Sequence, residues 1–208
     1  MSRLLVLAGP NGSGKSSVAG ALLRQHGGDY FNPDEVARAI ADLDPAVDMV
    51  EANSRAWREG VRRLEAAIAR AEEFNFETTL GGKTITRLLQ TAIAHGAEVV
   101  VWYVALATPD LHVARVQARV AGGGHDIPEA EIRRRFDSSR LNLIELMPGL
   151  AALRVFDNSA HADLQRGEAP TPQLLLHMEH GAIVHICDLA AVPEWAKPIL
   201  AAALAIDV

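Results

Sequence analysis

Gly9-Pro10-Asn11-Gly12-Ser13-Gly14-Lys15-Ser16 satisfies every fixed position of G-x-x-x-x-G-K-[ST]. Glycines let the backbone wrap close to phosphate oxygens, and a helix starting where the loop ends turns its N-terminus toward the anion. In this pattern Lys15 reaches the terminal phosphates and the Ser16 hydroxyl is placed for Mg²⁺. The run from Gly9 through Ser17 is therefore the expected phosphate cradle.

Asp34 lies 19 residues beyond Lys15, directly after a short apolar segment that should return the chain to the same edge. A carboxylate there can accept the proton of a hydroxyl attacking a γ-phosphate. It can equally serve as first-turn helix chemistry after Pro33. Glu77 closes the segment Phe74-Asn75-Phe76, with Thr78 and Thr79 behind it, and could bind acceptor hydroxyls or Mg²⁺ through water. Gly122-Gly123-Gly124 interrupts a helix, and Gly124-His125-Asp126-Ile127 follows, flanked by Arg115 and Arg119 upstream and by Arg133, Arg134 and Arg135 downstream. Ile132 and Phe136, four apart, should face the core, which leaves Arg133 and Arg135 on the flanks. A glycine-hinged lid carrying arginines closes over the γ-phosphate and offsets developing charge. Arg119 is the first candidate, and one of Arg133 or Arg135 the second. Asp157-Asn158-Ser159 ends an apolar segment and could edge the adenine through Asn158, although it is also ordinary turn sequence.

These residues need a scaffold that delivers loops to one edge. Arg3 to Ala8 reads as a buried parallel strand, and Ser17 to Gln25, with Val18, Ala21 and Leu22, as the helix after the loop. Asp29 to Asn32 reads as a second strand, with Asn32 and Pro33 opening a helix. Val50, Trp57, Val61, Leu64 and Ile68 form one stripe of a long helix, expected to face the core. Phe74 to Glu77, Glu98 to Ala107 and Leu153 to Phe156 are further strands. Helices are expected over Leu88 to His95, from Pro109 to Val120 and from Pro128. Leu174 to Leu176 and Ala182 to Val184 flank Glu179-His180-Gly181 as a hairpin, with a closing helix after Pro193. Alternating strands and helices imply an α/β, three-layer fold with a mainly parallel sheet, whose ligands gather at the strands' C-terminal ends. The predicted organisation is a core over residues 1–159 and a hairpin-and-helix appendage over 160–208 packed on the same domain.

Composition narrows the chemistry. The chain has 208 residues and a net charge of −6, and its only lysines are Lys15, Lys83 and Lys197. No basic excess argues for general nucleic-acid binding. The single cysteine, Cys187, excludes an internal disulfide framework. His177, His180 and His185 lack cysteine partners and are not forced together by strand alternation, so a metal site there is not expected. No apolar run is long enough to span a bilayer. With no secretory leader visible, a reduced, cytoplasmic protein is the expectation. No N/T-K-x-D motif is present for guanine, and the strand from Glu98 carries no acid at its far end. A small ATP- and Mg²⁺-dependent kinase pattern remains.

Together these pieces, in this order, resemble the zeta toxin family of P-loop kinases, particularly its chromosomal members. The resemblance rests on Gly9 to Ser17, Tyr30-Phe31-Asn32-Pro33-Asp34-Glu35, Phe76-Glu77-Thr78-Thr79-Leu80, Gly123 to Pro128 with Ile132 to Phe136, and Asp157-Asn158-Ser159. It implies transfer of the ATP γ-phosphate to a hydroxyl of a UDP-amino sugar such as UDP-N-acetylglucosamine. By position it implies Asp34 as base, Lys15, Ser16 and Arg119 at the phosphates and Mg²⁺, and Glu77, Thr79, Arg55 and His125 beside the acceptor. The second lid arginine of the plasmid toxins has no secure counterpart, because His125 occupies that stretch. No antitoxin segment is visible, so toxicity would need a separate partner protein. The residues leave two alternatives open: a kinase for a different hydroxyl acceptor, and a non-catalytic ATP-binding switch whose hairpin docks a partner.

Overall fold

The computed structural model describes residues 2–17, 30–160 and 172–206. The expected helix following the phosphate loop falls, from residue 18 onward, outside those residues. Among them lie six strands, β1 Arg3–Ala8, β2 Phe74–Thr78, β3 Glu98–Ala105, β4 Ala152–Asp157, β5 Gln173–Glu179 and β6 Ala182–Ile186. Six α-helices accompany them: α1 Pro33–Leu43, α2 Met49–Arg70, α3 Lys83–Ala94, α4 Pro109–Ala121, α5 Glu129–Leu146 and α6 Lys197–Ile206.

The strands form one sheet in the order β2-β1-β3-β4-β5-β6. β1 is an interior strand parallel to both neighbours, pairing Ala8 with Thr78 of β2 and with Tyr103 of β3. β4 continues the parallel set, and the β5–β6 hairpin joins it antiparallel. This is a mixed α/β fold with a mostly parallel sheet. Burial follows the run of apolar residues: Leu4, Val6, Val99, Val101 and Leu153 belong to one core cluster, which also takes in Trp195, Ile199 and Leu200 from the C-terminal segment. Trp195 Nε1 donates to Asp157 Oδ2 at 2.9 Å, tying that segment to the end of β4.

Several elements differ from the sequence reading. Of the expected strand Asp29 to Asn32, Asp29 lies outside the described residues, and among residues 30–32 Phe31 makes a single bridge to Phe76, its amide donating to the Asn75 carbonyl at 2.8 Å. Asn32 is already committed to capping α1, where its side chain accepts from the Asp34 amide at 3.0 Å, so pairing stops there. α3 begins at Lys83, five residues before the expected Leu88, because its cap is Gly82 and no capping side chain announces it. The α2 stripe divides. Leu64 is fully buried and Ile68 packs on the main core, but Val50 and Trp57 are 76% and 49% exposed. What buries this half of the helix is its other face, where Ala52 and Ala56 pack on Ala37 of α1.

Candidate functional site

β1 ends in the phosphate loop, and the loop's backbone explains its glycines. Gly9 has φ +139, and a Cβ there would stand 2.0 Å from the Val104 carbonyl oxygen. Only glycine lets the chain leave β1 at this angle while pressed against β3. The loop opens onto a cleft of about 980 Å³ at the C-terminal ends of β1 and β2. Asn11, Gly12, Gly14, Lys15, Ser16 and Ser17 line it, together with Asp34, Glu77, Thr79, Arg119, His125 and Asn158. Gly9, Pro10 and Ser13 are buried behind the lining. Of the residues expected beside the acceptor, Arg55 is not brought to the cleft. It lies on another face of α2, where its Nε donates to Glu51 Oε1 at 2.8 Å.

Lys15 is buried, donates to the Pro10 carbonyl at 3.1 Å and stands 3.8 Å from Glu77 Oε1. Burial pushes its ammonium below the usual lysine range, while the carboxylates of Glu77 and Asp34 pull it back up. An arriving polyphosphate would add to the second effect. The Ser16 hydroxyl donates to Glu77 Oε2 at 2.8 Å. This hydroxyl–carboxylate pair is a hard oxygen donor set beside a phosphate cradle, which fits Mg²⁺ completed by phosphate and water oxygens. Among the described residues no group of three His, Cys, Asp or Glu gathers to hold a metal without such help. The hairpin does set His177 opposite His185, a pairing that strand alternation alone did not specify.

Asp34, in the first turn of α1, meets Arg119 of α4 at 3.4 Å. Both side chains are about half exposed, so the pair holds by no more than about 1 kcal/mol and can exchange for a ligand. Arg119 also donates to the His125 carbonyl at 3.0 Å, folding the glycine lid back on its own helix. His125 then reaches across the cleft, its Nε2 accepting from Asn53 Nδ2 of α2 at 3.2 Å.

The two downstream arginines point in different directions. Arg133 turns outward to Asp110 and Glu129. Arg135 turns inward and donates to Asn11 Oδ1 at 2.9 Å. It passes over Gly81, where a Cβ would stand 2.8 Å from Arg135 Cγ. Leu80 beside it is in the left-handed region at φ 53, fixed by Thr78 Oγ1 on its amide at 3.0 Å and Asn142 Nδ2 on its carbonyl at 2.7 Å. That strain is held in place beside Thr79, at the mouth of the site.

Two tethers escaped the sequence reading or were read differently. Asn158 is buried and its Nδ2 donates to the Ser13 carbonyl at 2.9 Å, so it grips the loop from behind. Arg115 secures Asn158 in turn, donating to its carbonyl at 2.7 Å. His112 was not singled out, yet it is fully buried beneath the loop. Its Nε2 accepts from the Leu106 amide at 3.1 Å, so Nδ1 carries the proton and donates to the Asn11 carbonyl at 2.7 Å. Burial pushes its pKa down to about 4, which keeps the ring neutral and the bridge intact at neutral pH.

A model of the AAA domain family (AAA_33) matches residues 4–139. An uncharacterised protein of Haemophilus influenzae is 29% identical over 139 residues, covering 65% of this chain and 93% of its own. The AvrRxo1-ORF1:-ORF2 complex solved with ATP aligns with a TM-score of 0.65 at 16% identity, covering 98% of this chain. This chain spans 64% of the length of that one. The PezAT chromosomal toxin–antitoxin system of Streptococcus pneumoniae aligns at 0.55 and 12% identity, over 98% of this chain and 84% of that one. A candidate kinase from Chloroflexus aurantiacus aligns at 0.51 and 16% identity, over 67% and 79% respectively. At these identities the structural likenesses concern the fold. Among the described residues no helix is long and apolar enough to cross a membrane.

Proposed function

This chain belongs to the AAA domain family, and from that premise we propose that it is an ATP- and Mg²⁺-dependent kinase for a small-molecule hydroxyl. The observation that carries the reading is the convergence of Lys15, Asp34 and Arg119 on one cleft, with Asp34 and Arg119 3.4 Å apart. A phosphate-binding lysine, a carboxylate and a mobile guanidinium are the parts that phosphoryl transfer requires.

In this reading the loop amides and Lys15 hold the donor's phosphates. Asp34 orients the acceptor hydroxyl and takes its proton as the oxygen attacks the γ-phosphorus. The bond from that phosphorus to the β–γ bridging oxygen breaks, and ADP leaves. Arg119, released from Asp34, and Arg135 offset the charge that develops on the transferring group. Ser16 and Glu77 are the residues that would hold Mg²⁺, which when bound neutralises charge on the donor's phosphates. The lid from Gly122 to Ile127, latched to α2 through His125, keeps water from competing with the acceptor.

For the acceptor we take the UDP-amino sugar implied by the resemblance to the zeta toxins, with a separate antitoxin as the corresponding partner. The alignment over 98% of the chain with a structure from the PezAT system concerns the fold, and the choice of acceptor rests on the resemblance alone. Thr79 and His125 lie on the cleft wall where such an acceptor would contact them, whereas Arg55 would have to leave Glu51 to do so. The test is Asp34→Asn. Phosphoryl transfer should fall by on the order of a hundredfold or more while ATP affinity is retained. Transfer at the wild-type rate would show that Asp34 is not the base.

A further inference from the structure

The N-terminal half of α2 carries an apolar stripe that the core does not use. Val50, Trp57 and Val61 lie within one narrow arc of the helix, and all three line the cleft. Asn53 and Ser54 flank that arc on its two sides and also line the cleft. The buried side of the helix is elsewhere, with Ala52 and Ala56 against α1. A tryptophan left 49% exposed on a concave wall, with aliphatic neighbours and two hydrogen-bonding side chains at its margin, is built like a recognition surface.

Its position says which reactant it serves. The phosphate loop divides the cleft. Asn158 and Arg115 flank the loop on the β4 side, whereas Asp34 and Glu77 flank it on the β2 side. α2 packs on α1, the helix that carries Asp34. A molecule whose hydroxyl meets Asp34 therefore has α2 as its outer wall. We propose that Trp57 is a specificity-determining residue for the acceptor, stacking on a planar heteroaromatic ring of a nucleoside phosphate. A bare sugar would need polar partners around its whole rim. A base needs apolar contact on its face and hydrogen bonds only at its edge, which is what Val50, Trp57 and Val61 with Asn53 and Ser54 offer. The proposal rests on the kinase reading only for the side of the loop that the acceptor occupies.

Binding, rather than turnover, tests it, so its failure is separable from failure of the kinase reading. The full chain is saturated with a non-hydrolysable ATP analogue and Mg²⁺, and calorimetry measures binding of UMP, CMP, AMP and GMP beside ribose 5-phosphate. At least one nucleotide should bind at least tenfold more tightly than ribose 5-phosphate. Trp57→Leu should weaken that binding by about ten- to a hundredfold, and Trp57→Phe should recover part of it. The affinity for the ATP analogue and the urea midpoint should stay at wild-type values in both variants, since Trp57 supports neither the loop nor the core. Equal binding of base-containing and base-free probes, or no effect of Trp57→Leu, would overturn the proposal. So would a loss of ATP-analogue affinity, which would move Trp57 to the donor.

Discussion

His112 gives the account a quantitative handle that needs no substrate. The ring is fully buried and fixed as the Nδ1–H tautomer between the Asn11 carbonyl and the Leu106 amide, with Phe136 edge-on at 5.5 Å. Its pKa is lowered to about 4, chiefly by burial. In the unfolded chain the ring titrates near its ordinary value of about 6.5. Between these values the unfolded state binds the extra proton, so stability is fully present above about pH 6.5 and is lost as pH falls toward 4. At pH 5.5 the loss from this one group is about 1.4 kcal/mol relative to neutral pH. With a urea slope of about 2 kcal/mol/M, that is a midpoint shift of about 0.7 M. Other groups also titrate in this range, so the informative quantity is a difference. His112→Gln retains a donor and an acceptor but no titration, and its midpoint should change less between pH 7.5 and 5.5 than the wild type's by that amount. Equal pH dependence in the two proteins would mean that His112 is not held neutral beneath the loop.

Other expectations follow from the same geometry. Arg135→Ala should lower kcat by on the order of a hundredfold, whereas Arg133→Ala, on the outer face with Asp110 and Glu129, should stay within about twofold; steady-state kinetics on the two variants decides it. Glu77→Gln should leave Mg²⁺-free ATP binding intact and weaken the Mg²⁺-dependent increment by roughly tenfold or more, read by titration with and without the metal. A rise in acceptor KM with unchanged metal dependence would instead return Glu77 to the acceptor. Trp195→Phe removes the bond that Trp195 Nε1 donates to the buried Asp157 Oδ2 and should cost about 1–3 kcal/mol in urea unfolding.

What could be read in the sequence was what local spacing determines. The phosphate loop, Asp34 after a capped helix start, Glu77 at a strand end and Asn158 after the last parallel strand all lie where short-range pattern places them, because parallel strands deliver their C-terminal loops to one edge. What could not be read depends on which side a helix face meets. Helical periodicity groups Val50, Trp57 and Val61 with Leu64 and Ile68, but it does not say that the sheet lies beneath only the second pair. Arg55 is different: periodicity sets it off this stripe, where it pairs with Glu51, and only the family resemblance placed it beside the acceptor. Arg133 and Arg135 are symmetric about the core-facing direction of α5, and their tertiary partners distinguish them: Asp110 for the first, Asn11 and Gly81 for the second. His112 carries no motif at all. A histidine three residues after the Pro109 helix start, with Thr108 as cap, gave no local sign that it reaches under a loop a hundred residues earlier.

The most direct test of the central claim is a mass-spectrometric product screen. The purified chain is incubated with ATP, Mg²⁺ and a panel of nucleotide sugars, nucleosides and free sugars, beside Lys15→Ala. One class of acceptor should gain a single phosphate in step with ADP formation, with the gain abolished in Lys15→Ala. ATP bound but transferred to no member of a broad hydroxyl panel would contradict it, and would make this cleft a nucleotide-gated switch rather than a kinase.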